Sequence, residues 1–208
     1  MSLSLSVTLL SGLGTKVSLS RRSTVDELRR EAQTALGCYL SHLIDDSGDC
    51  LPGRGIELEA AGLADGDTVS AIVRHTQLAS THTAFALLRC DGSVVTWGDA
   101  SAGGDSSAVQ EQLAGVVQIS AASWAFAAVR GDGSVVTWGD ERKGGDSSAV
   151  QDELQNVKSV CGSSWSFAAV RRDGSVVTWG HAKKGGDSRS VQHELHQVLQ
   201  LRATSWAF

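Results

Sequence analysis

One octapeptide, Asp-Gly-Ser-Val-Val-Thr-Trp-Gly, constrains the fold of this chain more than any other feature. It occurs at residues 91–98, 132–139 and 173–180, so each copy starts 41 residues after the one before it. All four Phe residues keep the same period, as do Trp124, Trp165 and Trp206. Gly-Gly-Asp-Ser also recurs, at 103–106, 144–147 and 185–188. An internal period of this length indicates a repeat architecture in which similar units stack on one another.

Each 41-residue unit is predicted to be β-structure. A short apolar run precedes the octapeptide, and an Asp-Gly pair between two such runs is typical of a hairpin turn. A further strand is expected at 116–120 and at 157–160. Ser107 and Ser148 stand three residues before Gln110 and Gln151, a spacing that predicts a capped helical turn. About four extended pieces per unit correspond to one blade of a propeller.

The repeated Phe, Trp and Asp side chains could bind ligands, but their strict 41-residue period favours a structural role. Phe and Trp rings could stack on bases or sugars, and Asp91, Asp132 and Asp173 could bind calcium. Identical positions in every unit are what packing and Asp-Gly turns demand, so we interpret both as architecture. Gly-Gly-Asp-Ser lacks the Lys-Ser or Lys-Thr of a phosphate-binding loop. His193 and His196 have no partner at ligand spacing, so we predict neither a metal nor a cofactor.

The beginning of the chain carries a different pattern, which predicts a separate domain at residues 1–75, with the repeats at 76–208. Apolar and polar residues alternate on both sides of a Gly-Leu-Gly turn, which predicts a hairpin. Thr24 and Glu27 have the spacing of a capping box, and Gly37 is placed to end the helix that follows. Strands are expected at 41–45 and 68–73, with a short helical turn at 58–63.

This order of elements, with Thr-Val-Asp-Glu-Leu at the helix start and Gly-Leu-Ala-Asp-Gly-Asp-Thr-Val before the last strand, resembles the ubiquitin-like β-grasp family. The resemblance implies an exposed protein-binding patch at Leu10, Ile44 and Ile72. The alternative is that these three are ordinary half-buried sheet residues. Conjugation to other proteins needs a free C-terminal Gly-Gly, whereas here Arg74 and His75 are followed by more chain. We therefore expect an α+β domain that is not conjugated.

The repeats, with an apolar strand, Asp-Gly, a run of β-formers and Trp-Gly, resemble the regulator of chromosome condensation family. The resemblance implies an all-β partial propeller of about three 41-residue blades and the start of a fourth. A ring of seven such blades needs about 287 residues, and the repeats span fewer than half of that. Three hypotheses remain: truncation of a longer repeat protein, an open arc, or an arc completed by a partner or a second copy. Open strand edges make self-association an expectation.

The units differ most just after Trp-Gly. The sequences there are Asp-Ala-Ser-Ala, Asp-Glu-Arg-Lys and His-Ala-Lys-Lys. Equivalent loops of successive blades fall on one face, where variation is typical of a recognition surface. The alternative is neutral drift in solvent-exposed loops. This candidate loop face, which its cations would make locally basic toward an acidic protein partner, comprises Asp99, Asp140, Arg142, Lys143, His181, Lys183 and Lys184.

Composition narrows the classes of function. The net charge is −5, and a footprint on nucleic acid needs clustered Lys and Arg, so no nucleic-acid partner is expected. No run approaches the ~20 apolar residues of a membrane span, and the alternation near the N-terminus differs from a signal peptide. The four well-separated cysteines indicate reduced, mostly buried thiols in a cytoplasmic or nuclear protein.

These observations predict a non-enzymatic protein–protein interaction module or adaptor with a link to ubiquitin pathways. The alternatives are a fragment of a ubiquitin ligase, a fragment of a guanine nucleotide exchange regulator, or a fragment with no activity of its own. Neither activity transfers from the family, because the blade loops of the exchange factor have no match here. The catalytic-cysteine or zinc-bound domain of a ligase has no match here either.

Overall fold

The computed structural model describes residues 2–52, 55–73 and 76–208. The chain divides into two compact units, Met1–His75 and Thr76–Phe208. Arg74 and His75, where we expect the first domain to end, lie outside the described residues.

The first unit packs one helix on a four-stranded sheet. Its elements are β1 Ser2–Leu9, β2 Gly14–Ser20, α1 Val25–Leu36, β3 Leu40–Ile44 and β4 Thr68–Val73. The sheet order is β2-β1-β4-β3, in which β1 and β4 run parallel and the other neighbours run antiparallel. The predicted hairpin, helix and following strands are confirmed, whereas residues 58–62 form a turn in place of the expected helical turn.

Local sequence explains where α1 begins and ends. The Thr24 hydroxyl accepts a hydrogen bond from the Glu27 amide at 3.3 Å, and the Glu27 carboxylate accepts one from the Thr24 amide at 3.0 Å. Gly37 ends the helix in the left-handed conformation, with φ 65°. The face that packs on the sheet is apolar at helical spacing and fully buried, and it comprises Val25, Leu28 and Ala32.

Within the described residues, the second unit contains three antiparallel sheets of three strands each. The first sheet holds β5 Gln77–Ser80, β6 Ala84–Leu88 and β7 Val94–Gly98. The second holds β8 Val116–Ala121, β9 Ala125–Arg130 and β10 Val135–Gly139, and the third holds β11 Val157–Gly162, β12 Ser166–Arg171 and β13 Val176–Gly180. Our prediction of four extended pieces per unit is wrong, because the segments around Gly-Gly-Asp-Ser fold as 3-10 turns.

The cap of the second 3-10 turn in each 41-residue repeat also differs from the prediction. Ser107 does not cap this turn through its side chain. Its amide donates to Asp105 Oδ1 at 2.9 Å, while the hydroxyl of Ser106 donates to Gln110 Oε1 at 2.9 Å. Both bonds recur in the next repeat. There the Ser148 amide donates to the Asp146 carboxylate at 2.8 Å, and the Ser147 hydroxyl donates to Gln151 Oε1. The aspartate of Gly-Gly-Asp-Ser therefore has a structural role in holding the turn.

Alternation along β9 sends successive side chains to opposite neighbours. Phe126 and Ala128 pack toward the first sheet, whereas Ala125, Ala127 and Val129 pack toward the third. Both faces of the second sheet are therefore covered, and these five side chains are at most 1% exposed. The apolar core of the second unit thus consists of layers between consecutive sheets.

An aromatic pair and a glycine form the joint between neighbouring sheets. Phe126 stacks on Trp138 with 5.2 Å between ring centroids, and Trp138 Nε1 donates to the Gly103 carbonyl at 2.9 Å. A Cβ on Gly103 would lie 2.7 Å from the Phe126 ring, so the close approach requires glycine. The arrangement recurs one period later, where Trp179 Nε1 donates to the Gly144 carbonyl at 3.1 Å.

A glutamine side chain makes a second connection between sheets. Gln77 Nε2 donates to the Ile119 carbonyl at 2.7 Å, and Gln77 Oε1 accepts from the Ile119 amide at 3.0 Å. Gln118 makes the same two bonds with Val160, at 2.9 and 3.3 Å. Ser159 occupies the equivalent position in the third sheet. In both cases one side-chain amide satisfies the backbone amide and carbonyl of a residue on the next sheet.

Candidate protein-binding surfaces

The candidate loop face is built on three short 3-10 turns that follow β7, β10 and β13: Ala100–Ala102, Glu141–Lys143 and Ala182–Lys184. Asp99 Oδ1 accepts from the Ser101 hydroxyl at 2.7 Å and from its amide at 2.9 Å, and these hydrogen bonds lower the pKa of Asp99. Asp140 Oδ1 accepts from the Arg142 amide at 3.0 Å. His181 makes no such side-chain bond to its turn. Sequence differences on this face therefore change the capping chemistry as well as the charge.

Lys143 lies between two indole rings. Its Nζ is 2.9 Å from Asp140 Oδ2, 4.2 Å from the centre of the Trp124 ring and 5.0 Å from the centre of the Trp165 ring. A cation over an indole face is attracted by the ring quadrupole, by ~0.5–1 kcal/mol at exposed sites. Trp165 belongs to the following repeat, so Lys143 links two neighbouring repeats while it contributes to the loop face.

The other cations of the loop face differ in how free they are. Lys184 Nζ lies 3.8 Å from the centre of the Trp206 ring and is half-buried. Arg142 and Lys183 are exposed. We assigned Trp124, Trp165 and Trp206 to packing from their period alone, and their contacts with lysines were not predicted. The freely accessible positive charge of the face resides on Arg142 and Lys183.

Two residues of the predicted patch of the first unit, Ile44 and Ile72, lie on the sheet face opposite α1. Buried side chains alternate with outward ones along β3 and β4, and Ile44 and Ile72 both point outward. Ile44 pairs with Ser70, and His42 pairs with Ile72, so the two isoleucines are diagonal neighbours. Leu10 follows the last residue of β1 and is 88% exposed. Ile44 and Ile72 therefore lie together on a face otherwise rich in Ser and Thr, whereas Leu10 is exposed in the turn after β1.

A third surface is the outer face of the first sheet of the second unit, which consists of β5, β6 and β7. Our interpretation of the sequence missed this surface. Phe85 and Trp97 stack with 5.4 Å between ring centroids and are 41% and 45% exposed. The equivalent Phe126 and Trp138 are 0% and 5% exposed. Leu78 is 58% exposed, against 1% for its equivalent Ile119. The sequence contained the signal, because this copy of the aromatic pair has no Gly-Gly-Asp-Ser segment before it.

A groove of about 630 Å³ runs across the equivalent turns of successive repeats, at residues 80–82, 121–123, 162–164 and 203–205. Backbone bonds join these turns: the amides of His82 and Ser123 donate to the carbonyls of Ser123 and Ser164. The lining offers hydroxyls, backbone groups and the imidazole of His82. This arrangement can bind polar groups, but it does not set an acid beside a base.

The remaining predictions about chemistry concern metals, membranes and thiols. Among the described residues, no group of three or more His, Cys, Asp or Glu side chains is placed to hold a metal ion. No helix in the described ranges is long and apolar enough to cross a membrane. All four cysteines are free thiols. The expectation that most are buried is wrong, because Cys50 is exposed and Cys38, Cys90 and Cys161 are partly exposed. Partial burial raises the pKa of Cys161.

Comparison with known proteins gives structural neighbours for both kinds of unit. No model of a known protein family matches the sequence, and no curated protein matches it. The ubiquitin-like domain of Plasmodium falciparum Dsk2 is 21% identical, with a TM-score of 0.32, over 35% of this chain and 99% of that one. The CRINKLY WD40 ectodomain of the Arabidopsis thaliana receptor kinase ACR4 is 19% identical, with a TM-score of 0.39, over 53% of this chain and 40% of that one. Human WBSCR16 is 16% identical, with a TM-score of 0.40, over 68% of this chain and 41% of that one.

Proposed function

We propose that the chain is a non-enzymatic adaptor in which a ubiquitin-like, non-conjugated domain precedes repeats of the regulator of chromosome condensation type. Each part would present a protein-binding surface: the patch of Leu10, Ile44 and Ile72 in the first, and the loop face in the second. Free, partly exposed thiols are compatible with a reducing compartment, which supports a location in the cytoplasm or nucleus.

One observation carries the proposal for the repeats. Arg142 and Lys183 are exposed at the middle positions of two structurally equivalent turns, and a lysine–indole contact holds each turn against a tryptophan. Each turn ends at a left-handed glycine, and Asp140 caps the turn that carries Arg142. Variable side chains on a rigid, repeated scaffold are typical of a recognition surface. Two accessible cations on such turns favour a partner rich in Asp and Glu. We assign the chain no enzymatic role in this proposal.

Charge reversal at these two positions tests the proposal. Each exposed ion pair contributes ~0.2–1 kcal/mol, so Arg142→Glu with Lys183→Glu should weaken binding to an acidic partner about tenfold. The matched control is Lys158→Glu, which reverses an exposed cation on β11 and away from the turns. Quantitative affinity capture should show proteins lost with the double variant and kept with the control. If both variants retain the same proteins as the native chain, the loop face is not the binding surface.

The patch of the first unit has its own test. A ubiquitin-binding helix titrated into the full chain should shift the NMR signals of Leu10, Ile44 and Ile72, and Ile72→Ala should weaken this binding. Lys16→Ala, on β2 of the same sheet, is the control for general surface effects. An absence of shifts at these three residues would remove the proposed link to ubiquitin pathways and leave the loop face unaffected.

A further inference from the structure

We propose that the outer face of the first sheet of the second unit, β5 to β7, binds a second copy of this chain. On that second copy it would pack on the third sheet, β11 to β13, and would replace the second copy's own segment 198–208. The face comprises Leu78, Phe85, Leu87, Val95 and Trp97. This inference concerns self-association and does not depend on the proposed adaptor function.

The aromatic pair of the face already has the geometry of a packed joint. Phe85 and Trp97 are stacked with an interplanar angle of 15°, close to the 23° of Phe126 and Trp138 in the covered joint. Among the described residues, Trp97 Nε1 donates to no carbonyl, whereas Trp138 Nε1 donates to Gly103. The face is therefore preorganised, so little side-chain entropy is lost when it is covered.

The third sheet of the chain carries the surface that such an aromatic pair fits. Gly103 and Gly144 receive Phe126 and Phe167, and Gly185 receives Phe208, whose ring lies 3.1 Å from the position of a Cβ on Gly185. No tryptophan donates to the Gly185 carbonyl within the described residues. The third sheet repeats the buried small and β-branched side chains that the second sheet presents in the joint with Phe167: Ser166, Ala168, Val170 and Val176 stand 41 residues after Ala125, Ala127, Val129 and Val135.

Segment 198–208 covers this surface less completely than a sheet does. It contains no strand, although the Val198 amide donates to the Gly174 carbonyl and the Ser164 amide donates to Ser205. Leu199 is 82% exposed and Trp206 is 56% exposed. Ser159, at the position of Gln77 and Gln118, also leaves this joint without the paired side-chain bonds of the other joints.

A second copy would replace Phe208 with Phe85 and add Trp97, whose Nε1 would donate to the Gly185 carbonyl. The two contacting surfaces differ, so the contact is heterologous and copies add head to tail. Displacing the segment costs its own contacts, so we expect association in the micromolar range or weaker and a clear dependence on concentration.

Sedimentation velocity of the full chain across a concentration series tests the proposal. The native chain should shift from its 21.8 kDa monomer toward larger species. Trp97→Ala and Gly185→Val should each raise the dissociation constant about tenfold or more, because each disables one of the two surfaces. Leu13→Ala, an exposed apolar change in the first unit, should leave association unchanged. Circular dichroism establishes that each variant is folded.

Mixing the two variants distinguishes this contact from others. Trp97→Ala keeps the glycine surface, and Gly185→Val keeps the aromatic surface, so an equimolar mixture should form dimers and stop there. A native chain that stays monomeric at every concentration would overturn the proposal. Self-association of Gly185→Val as strong as that of the native chain would also overturn it, because two aromatic faces would then bind each other.

Discussion

The covered and uncovered copies of one aromatic pair allow a direct test of what holds the sheets together. Trp138→Ala removes an indole that is 5% exposed, stacked on Phe126 and hydrogen-bonded to the Gly103 carbonyl at 2.9 Å. Trp97→Ala removes the equivalent indole, which is 45% exposed and donates no hydrogen bond among the described residues. The two changes are chemically identical and lie in the same sequence context.

The expected losses of stability differ by a factor of two or more. Truncating a buried tryptophan costs ~3–5 kcal/mol, and leaving the Gly103 carbonyl without its donor adds ~1 kcal/mol. Trp138→Ala should therefore lower the free energy of unfolding by about 4–6 kcal/mol. At Trp97 about half of the indole is already in water and no joint is opened, so we expect a loss of about 1–2 kcal/mol.

Guanidinium unfolding at low protein concentration, followed by far-ultraviolet circular dichroism, measures both values without self-association. Trp179→Ala serves as an internal replicate, because Trp179 makes the same bond to Gly144. Equal losses for Trp97→Ala and Trp138→Ala would show that the indoles stabilise their own hairpins and that the joint contributes nothing. Packing between neighbouring sheets would then not be what stabilises the second unit.

Gln118→Ala should lower the stability of the second unit by ~2 kcal/mol, because it leaves the Val160 amide and carbonyl unpaired, whereas Gln200→Ala, at an exposed position, should cost almost nothing in the same denaturant assay. Thr24→Ala should cost ~1 kcal/mol and speed hydrogen exchange in α1, with exchange in β9 unchanged as the control. The Ser134 hydroxyl and amide lower the pKa of Asp132, so the contribution of this carboxylate to stability is present at neutral pH and is lost as pH falls through the lowered value. Asp132→Asn should therefore destabilise the chain at about pH 6, and its difference from the native chain should shrink on acidification.

The secondary structure of the first unit could be predicted from its sequence because the residues that determine it act over short distances along the chain. Thr24, Glu27 and Gly37 determine the ends of α1 through contacts a few residues away, and strict alternation identified the strands. The pairing of Ile44 with Ser70, which places Ile44 beside Ile72, depends on register between distant strands and was available only from the resemblance.

The second unit was predicted in its period and in its hairpins, and wrongly in its strand count. Val116–Ala121 pairs with the hairpin that follows it, although the sequence between Trp-Gly and this strand gives no sign of which hairpin it joins. The position of Lys143 between two rings depends on the angle between sheets, which no local pattern contains. Contacts between residues that are distant in sequence therefore determine which cations are accessible to a partner and which already contact an aromatic ring.

The identity of β7, β10 and β13, each Val-Val-Thr-Trp-Gly, has a consequence for how the chain folds. The side chains of β13 would fit beside β9 as well as those of β10 do, so packing energy alone does not select the native partner. Chain connectivity does: the native hairpin closes over residues 131–134, and the exchanged one would close over 131–175. The extra loop entropy amounts to about 2 kcal/mol, a modest margin. Fast refolding should therefore yield a fraction of chains with exchanged hairpins, and this fraction should grow with every further identical copy.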